Sequence, residues 1–280
     1  MHHVLRISLS IISGNRGIDK ITYLARGIFW AVSKRIGLNF VAQLFNGARI
    51  KVSPNSAYSS VFYFKYPEGN DMRFLRVNAS LGEVFVDVGA NVGIFSALMA
   101  DKFRKVVMLE PSEESFRSIE MMASLNGSMA TFELHKIAVS DQPGPVYFLN
   151  EHALSSTNRI VNEEHAGDNR VSVVHADTLD SVLSRRFDRI IMKIDIEGGE
   201  EKAFAGALNL FHTRSIKLVM FERLGRSNLT AIEKFLSSHH YRIFRIRDDG
   251  TLSTNHEDVS VPLINLFACP NEIFSQLTSL

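Results

Sequence analysis

Val84-Phe85-Val86-Asp87-Val88-Gly89-Ala90-Asn91-Val92-Gly93-Ile94-Phe95-Ser96 reads as a buried strand, a tight glycine turn and the first turn of a helix. Gly89 permits a backbone angle closed to other residues, and Gly93 lets helix and strand approach closely. Such a unit sets a ligand against bare backbone at the carboxyl end of a parallel strand. The pattern is D-x-G-x-N-x-G. It departs from the dinucleotide form G-x-G-x-x-G because Asn91 stands where a second glycine would open the backbone to a pyrophosphate.

Outward from this unit, short apolar strands alternate with amphipathic helices, the rhythm of a doubly wound α/β sheet. Arg49–Val52 and Val61–Lys65 read as a pair of strands preceding the main sheet. Val84–Val88, Lys105–Leu109, Thr131–His135, Phe187–Ile194 and Ile216–Phe221 read as its successive core strands. Ile94–Lys102 and Leu229–Ser237 read as helices, and Tyr241–Arg245 with Leu263–Ala268 as a closing hairpin-like pair. Phe148–Gly167, with His152, His165 and the Ser155-Ser156 pair, lacks clear periodicity and reads as a mobile substrate loop.

Glu110 ends the second core strand, 21 positions after Gly89. An acid there can accept hydrogen bonds from both hydroxyls of a ribose. The plainer reading is a carboxylate stabilising the dipole of the helix that begins near Ser112, a plausible N-cap without a capping box. Paired with the glycine turn at this spacing, ribose binding is the stronger reading. S-adenosylmethionine has a ribose and no phosphates, so it suits Asn91 better than NAD does.

The fourth strand ends in Met192-Lys193-Ile194-Asp195-Ile196-Glu197-Gly198-Gly199-Glu200. In an open α/β sheet the ligand crevice lies at this end of the strands. Strand alternation would set Lys193, Asp195 and Glu197 on one side of the backbone. The plainer reading is a self-neutralising Lys–carboxylate pair, with Glu200 and Glu201 opening a helix.

Phe85–Ser96, Glu110-Pro111, Lys136–Asp141, Thr178–Asp180 and Lys193–Glu200 together resemble the successive motifs of the FkbM-type S-adenosylmethionine-dependent methyltransferases, over roughly residues 45 to 225. The resemblance implies a class I methyltransferase (Rossmann-like) fold, with a seven-stranded sheet whose last strand is antiparallel. It implies methyl transfer to oxygen, on a hydroxyl of a sugar, polyketide or glycan intermediate. Carried over by position, Asp87, Gly89, Asn91 and Gly93 would surround the methionine part of the cofactor. Glu110 would hold the ribose with Ser112 close by, and Ala138 would lie against the adenine. Asp195 and Glu197 would face the methyl group and the acceptor. The family often carries an acid followed by a polar residue or His after the fifth strand. Here the chain reads Phe221-Glu222-Arg223, leaving Glu222 either to bind substrate or to pair with Arg223.

A sulfonium methyl is already activated, so the protein has to align the reactants and exclude water. An alcohol acceptor needs a positioned base. Asp195 is the first choice for that base, Glu197 for orienting it or a substrate hydroxyl, and Lys193 for anchoring the two carboxylates. Oxygen ligands suit magnesium. No third ligand is visible in sequence, so no metal is expected. A nucleic-acid methyltransferase lacks support, because Ile196-Glu197-Gly198 replaces a proline-aromatic motif and no basic stripe tracks a backbone. An NAD-dependent oxidoreductase is disfavoured by Asn91. A non-catalytic binding module is disfavoured by the intact motif set.

The chain has 280 residues, 31 Lys and Arg against 30 Asp and Glu, and one cysteine, Cys269. These values fit a cytoplasmic enzyme with no overall field for nucleic acid or anionic lipid. The expected organisation is a helical extension over residues 1–45 and a methyltransferase domain over 46–280. Val4–Ile12 is apolar but interrupted by Arg6 and lacks a cleavage site. Ile21, Leu24, Ile28, Val32 and Ile36 recur at helical spacing, with Arg26, Trp30 and Lys34 opposite. One reading is an interfacial membrane helix. The favoured one is a helix packed on the domain or on a second subunit, because Gly27 weakens it and the basic cluster is small.

Overall fold

The computed structural model describes residues 19–53, 57–66, 69–151, 154–155, 157–223, 228–255 and 264–280. Val4–Ile12, His152 and Ser156 lie outside the described residues. The strands are Phe40–Gln43 (β1), Arg49–Val52 (β2), Val84–Val88 (β3), Lys105–Leu109 (β4), Thr131–His135 (β5), Ala138–Val139 (β6), Gly144–Leu149 (β7), Arg159–Val161 (β8), Val171–Asp177 (β9), Ile190–Ile194 (β10), Ile216–Arg223 (β11), Tyr241–Ile246 (β12), Leu252–Ser253 (β13) and Ile264–Pro270 (β14). The α-helices are Asp19–Ile36 (α1), Gly69–Val77 (α2), Ile94–Met99 (α3), Glu113–Asn126 (α4), Leu179–Leu183 (α5), Glu200–Ala205 (α6), Leu208–His212 (α7) and Leu229–Ser238 (α8).

The main sheet runs β13-β12-β14-β11-β10-β3-β4-β5. Strands β3, β4, β5, β10 and β11 are mutually parallel, and β14 is antiparallel to both neighbours. This is the expected doubly wound sheet with its last strand antiparallel, carrying one extra two-residue edge strand, β13. Alternation along each central strand feeds two cores. Val84, Val86 and Val88 of β3 join Ile190, Met192 and Ile194 of β10 on one face. Phe85 and Ile191 join the other core, with Phe74, Leu98 and Phe267. A sheet covered on both faces needs apolar side chains at every position, so these strands read as continuous apolar runs.

That same alternation places the next two inward residues, Asp87 and Lys193, on the second face, where they are cross-strand partners in the β3/β10 register. Both are buried. A charge pair therefore sits at the top of an apolar wall, immediately below the crevice.

Three expectations are corrected. Val61–Lys65 is not a strand: Ala57–Phe62 forms a 3-10 helix, and the strand partner of β2 is β1, paired from Phe40↔Val52 to Gln43↔Arg49. The chain thus passes position 45 inside a paired hairpin. Phe148–Gly167 is not a plain loop. It contributes β8 to a separate four-stranded sheet ordered β6-β9-β7-β8, where Phe148 pairs with Ile160. Finally, α1 packs on the domain through Tyr23, Gly27, Trp30 and Ser33, while Ile21, Ile28, Val32 and Ile36 face outward. The aromatic face wins because Trp30 meets Tyr63 at 5.0 Å and Arg26 reaches the Phe62 ring at 5.3 Å.

Candidate active site

At the carboxyl ends of β3, β4 and β10 lies a cavity with about 990 Å³ of empty space, the solvent at its open mouth included. Gly89, Asn91, Glu110, Ala138, Lys193, Asp195 and Glu197 all line it. The structure therefore brings seven of the ten sequence-predicted site residues to one cavity. Asp87, Gly93 and Ser112 are not among its lining residues. Asp87 lies beneath the turn, where its Oδ2 accepts from Ser96 N–H at 3.2 Å and Ser96 Oγ at 2.7 Å. Gly93 has a φ of +81°, and a Cβ there would press on Met122 and Met108. It is a packing glycine, as the close helix–strand approach required. Ser112 is turned into the start of α4, where its N–H donates to Glu110 Oε1 at 2.9 Å.

The glycine turn is closed by its own hydrogen bonds. Gly89 and Ala90 N–H donate to Leu109 O, Gly93 N–H donates to Ala90 O, and Asn91 N–H donates to Glu110 Oε2 at 2.8 Å. Asn91 has a φ of +49°, the left-handed region that asparagine tolerates better than most residues. Its Nδ2 donates to Ser155 O at 2.8 Å, tying the turn to the segment before β8. With those N–H groups committed and a carboxylate beside them, the turn offers no nest for a pyrophosphate. An adenosyl ligand without phosphates fits it better. Glu110 supplies an acceptor, and Asn91 Oδ1 is buried with no hydrogen-bond partner among the described residues. Apolar Ile137, Ala138, Val139 and Phe148 form a wall for a flat ring.

Of the two roles weighed from sequence, Glu110 serves the helix entrance through Ser112, and it also holds the turn through Asn91. Burial raises its pKa to about 7, against the pull of those two N–H donors. Lys193 Nζ donates to Gly89 O at 2.9 Å and lies 3.4 Å from Asp87 Oδ1 and 3.3 Å from Asp195 Oδ2. Its ammonium thus joins the turn, the buried pair and the crevice.

Asp195 and Glu197 share the cavity, but not by strand alternation, because β10 ends at Ile194. Glu197 has a φ of +60° and Gly198 of +99°. The resulting turn is held by Glu200, whose Oε1 accepts from Ile196 and Gly198 N–H. The β10/β11 pairing then brings in Glu222. Carboxylate oxygens of Asp195, Glu197 and Glu222 lie within 4.8 Å of one another. Sequence reasoning left Glu222 between two roles. Pleating sets it and Arg223 on opposite faces of β11, and Glu222 joins the acids. Three oxygen donors could take a hard divalent cation, or could share a proton. Burial, then the negative charges of Asp195, Glu197 and Glu200, pushes the Glu222 pKa up to about 8.

A pH effect on stability is the measurable consequence. In the unfolded chain Glu222 ionises near its ordinary value of 4.5, whereas in the fold it keeps a proton to about 8. Between those limits the folded state binds more protons, so stability falls as pH rises. Glu222→Gln is expected to match the parent protein below pH 4.5 and to exceed it increasingly up to about pH 8. The gap should be on the order of 2 kcal/mol, well under the full shift because the group is partly screened by solvent. Urea unfolding of both proteins across pH 4 to 9 checks this, and parallel curves would refute it.

Four wall residues had little or no sequence signal: Ser60, Phe95, Asn158 and Ile160. Phe95 could have been suspected from its place in the turn after Gly93, and its ring lies 5.2 Å from Lys193 Nζ.

A family model described as methyltransferase FkbM domain matches residues 87–243. No curated protein sequence matches the chain. Among solved structures, the methyltransferase FkbM from Methylobacillus flagellatus KT is 11% identical, with a TM-score of 0.46, over 95% of this chain and 59% of its own. The chain thus spans about three fifths of that relative. The ribosomal protein L11 methylase from Lactobacillus delbrueckii subsp. bulgaricus is 17% identical, with a TM-score of 0.41, over 72% of this chain and 77% of its own. A Pyrococcus abyssi tRNA (uracil-54, C5)-methyltransferase in complex with S-adenosyl-L-homocysteine is 15% identical, with a TM-score of 0.42, over 82% of this chain and 43% of its own.

Proposed function

The chain belongs to the FkbM methyltransferase family, with S-adenosylmethionine as its cofactor, and from that premise we propose that it is an O-methyltransferase acting on a hydroxyl of a small-molecule or glycan acceptor. The observation that carries this reading is the meeting of two different ends in one cavity. One end has Gly89, Asn91, Glu110 and Ala138, and the other has Asp195 and Glu197. When bound, the cofactor supplies a methyl group already activated by its sulfonium.

Gly89, Asn91, Glu110 and Ala138 would hold it, with Asp87, Gly93 and Ser112 shaping the turn and helix entrance from behind. Asp195 takes the proton of the acceptor hydroxyl, since an alcohol oxygen is a weak nucleophile until that proton leaves. Glu197 orients the hydroxyl. Glu222, which keeps its proton to about pH 8, donates toward the neighbouring carboxylates and limits their mutual repulsion. Lys193 is a positioning residue, bound to Gly89 O and flanked by Asp87 and Asp195. Asp195 and Glu197 at this end repel a phosphate backbone, which disfavours a nucleic-acid acceptor. The committed N–H groups of the turn disfavour NAD.

Calorimetric titration with S-adenosylhomocysteine, with NAD as control, tests the reading. Micromolar binding is expected, weakened at least about 100-fold in Glu110→Ala, which removes an acceptor of two charge-assisted hydrogen bonds and opens the turn. No binding of S-adenosylhomocysteine by the parent protein would refute it.

A further inference from the structure

The near-neutral chain conceals a local asymmetry. Its first 41 residues carry six Lys and Arg (Arg6, Arg16, Lys20, Arg26, Lys34 and Arg35) against one acid, Asp19, so the remainder is net acidic. Helix α1 lies in this basic region and has two apolar faces. One face is spent on the fold, with Tyr23 and Trp30 buried. The other runs along Ile21, Ile28, Val32 and Ile36, which are 75%, 61%, 55% and 67% exposed. Its spacing of seven, four and four residues keeps these side chains on one stripe, about 22 Å long at 1.5 Å per residue. Phe29, Leu38 and Val41 are also exposed and widen it onto the β1 hairpin. Isolated exposed apolar residues are ordinary, but a contiguous stripe of this size marks a contact surface. Lys20 and Arg35, both exposed, stand at its two ends.

We propose that this stripe lies on an anionic lipid surface, with the apolar side chains in the headgroup–acyl boundary and the flanking bases against the headgroups. Charge complementarity selects this occupant: a second copy would bring the same basic rim against itself, whereas an anionic bilayer neutralises it. The mode is interfacial, since no described helix is long and apolar enough to cross a membrane. The surface is coupled to the cavity by one short element. In the 3-10 helix Ala57–Phe62, Phe62 packs 5.9 Å from Phe29 of the stripe, and Ser60 lines the cavity.

Sedimentation of the full chain with sucrose-loaded vesicles tests this, comparing neutral phosphatidylcholine with a mixture containing about 30 mol % phosphatidylglycerol. Binding to the anionic vesicles is expected, falling as salt is raised. Lys20→Gln with Arg35→Gln should lower partitioning about thirtyfold, at roughly tenfold per 1.4 kcal/mol and about 1 kcal/mol per charge. Ile28→Ser with Val32→Ser, both at exposed sites, should lower it at least about tenfold. Both double variants should keep the S-adenosylhomocysteine affinity of the parent protein, which separates failure of this surface from failure of the methyltransferase reading. Absence of binding to anionic vesicles at low ionic strength would overturn the proposal. So would binding unchanged in Ile28→Ser with Val32→Ser. A dimer in light scattering that this variant dissociates would assign the stripe to a second copy instead.

Discussion

Gly89→Ala is expected to destabilise the protein by at least about 3 kcal/mol and to abolish cofactor binding. The position has a φ of +73°, and a Cβ built there would collide with the carbonyl oxygen of Asp195 and press on Ile196. The left-handed conformation alone costs an alanine about 1–2 kcal/mol. The collision adds to that, because its partner is backbone that cannot rotate away: Asp195 is held by its N–H to Val88 O at 3.1 Å. Relief would require parting β3 from β10 where the two halves of the site meet. Gly167→Ala is the control, with no atom within 4 Å of the added carbon, and it should change stability by less than about 0.5 kcal/mol. Thermal unfolding and titration with S-adenosylhomocysteine read both effects. A Gly89→Ala protein that melts and binds like the parent would disprove the close approach.

Lys193→Met should cost about 3–5 kcal/mol, the usual penalty for stripping one partner from a buried ion pair. That corresponds to a fall in Tm on the order of 10 °C. The methionine preserves the packing of the stem. It removes the ammonium that lies 3.4 Å from Asp87 Oδ1, and Asp87 is fully buried. It also frees Gly89 O and removes the charge 3.3 Å from Asp195 Oδ2. Adding Asp87→Asn removes the uncompensated charge while keeping an acceptor for Ser96. The double variant should therefore regain much of the lost stability but not the turn contact, so cofactor affinity should stay low. Calorimetric melting and titration of the single and double variants separate the two contributions. If Lys193→Met kept its Tm and lost only kcat, Lys193 would act on substrate rather than as a clamp.

The strands most clearly legible in sequence were β3, β4 and β5, whose expected bounds coincide with those observed. Each is an apolar run closed by turn residues, and burial on both faces leaves such a run little freedom. β10 was expected from Phe187 and begins at Ile190, because the residues before it are not paired to the sheet and no side-chain property marks that onset. The acids were legible as individuals but not as a group. Asp195 and Glu197 lie beyond the strand, where alternation no longer holds, and Glu222 enters through the pairing of β10 with β11. The length of Phe148–Gly167 suggested a loop, but its hydrogen-bonding partners are on β7, so a local reading missed the small sheet.

Local sequence was enough for the doubly wound sheet, the glycine turn and the ionisable residues at both ends of the crevice. Those features rest on near neighbours in the chain: a glycine at a fixed offset, an acid at a strand end, an apolar run of strand length. Tertiary packing chose which side chains stand on the wall and which stand behind it, and so moved Asp87, Gly93 and Ser112 out of the cavity. It also chose which face of α1 is buried. Two apolar faces on one helix are nearly equivalent by periodicity. The choice between them is made by rings far away in sequence, Phe62 and Tyr63, whose shape fits Arg26 and Trp30 and leaves the isoleucine stripe outside.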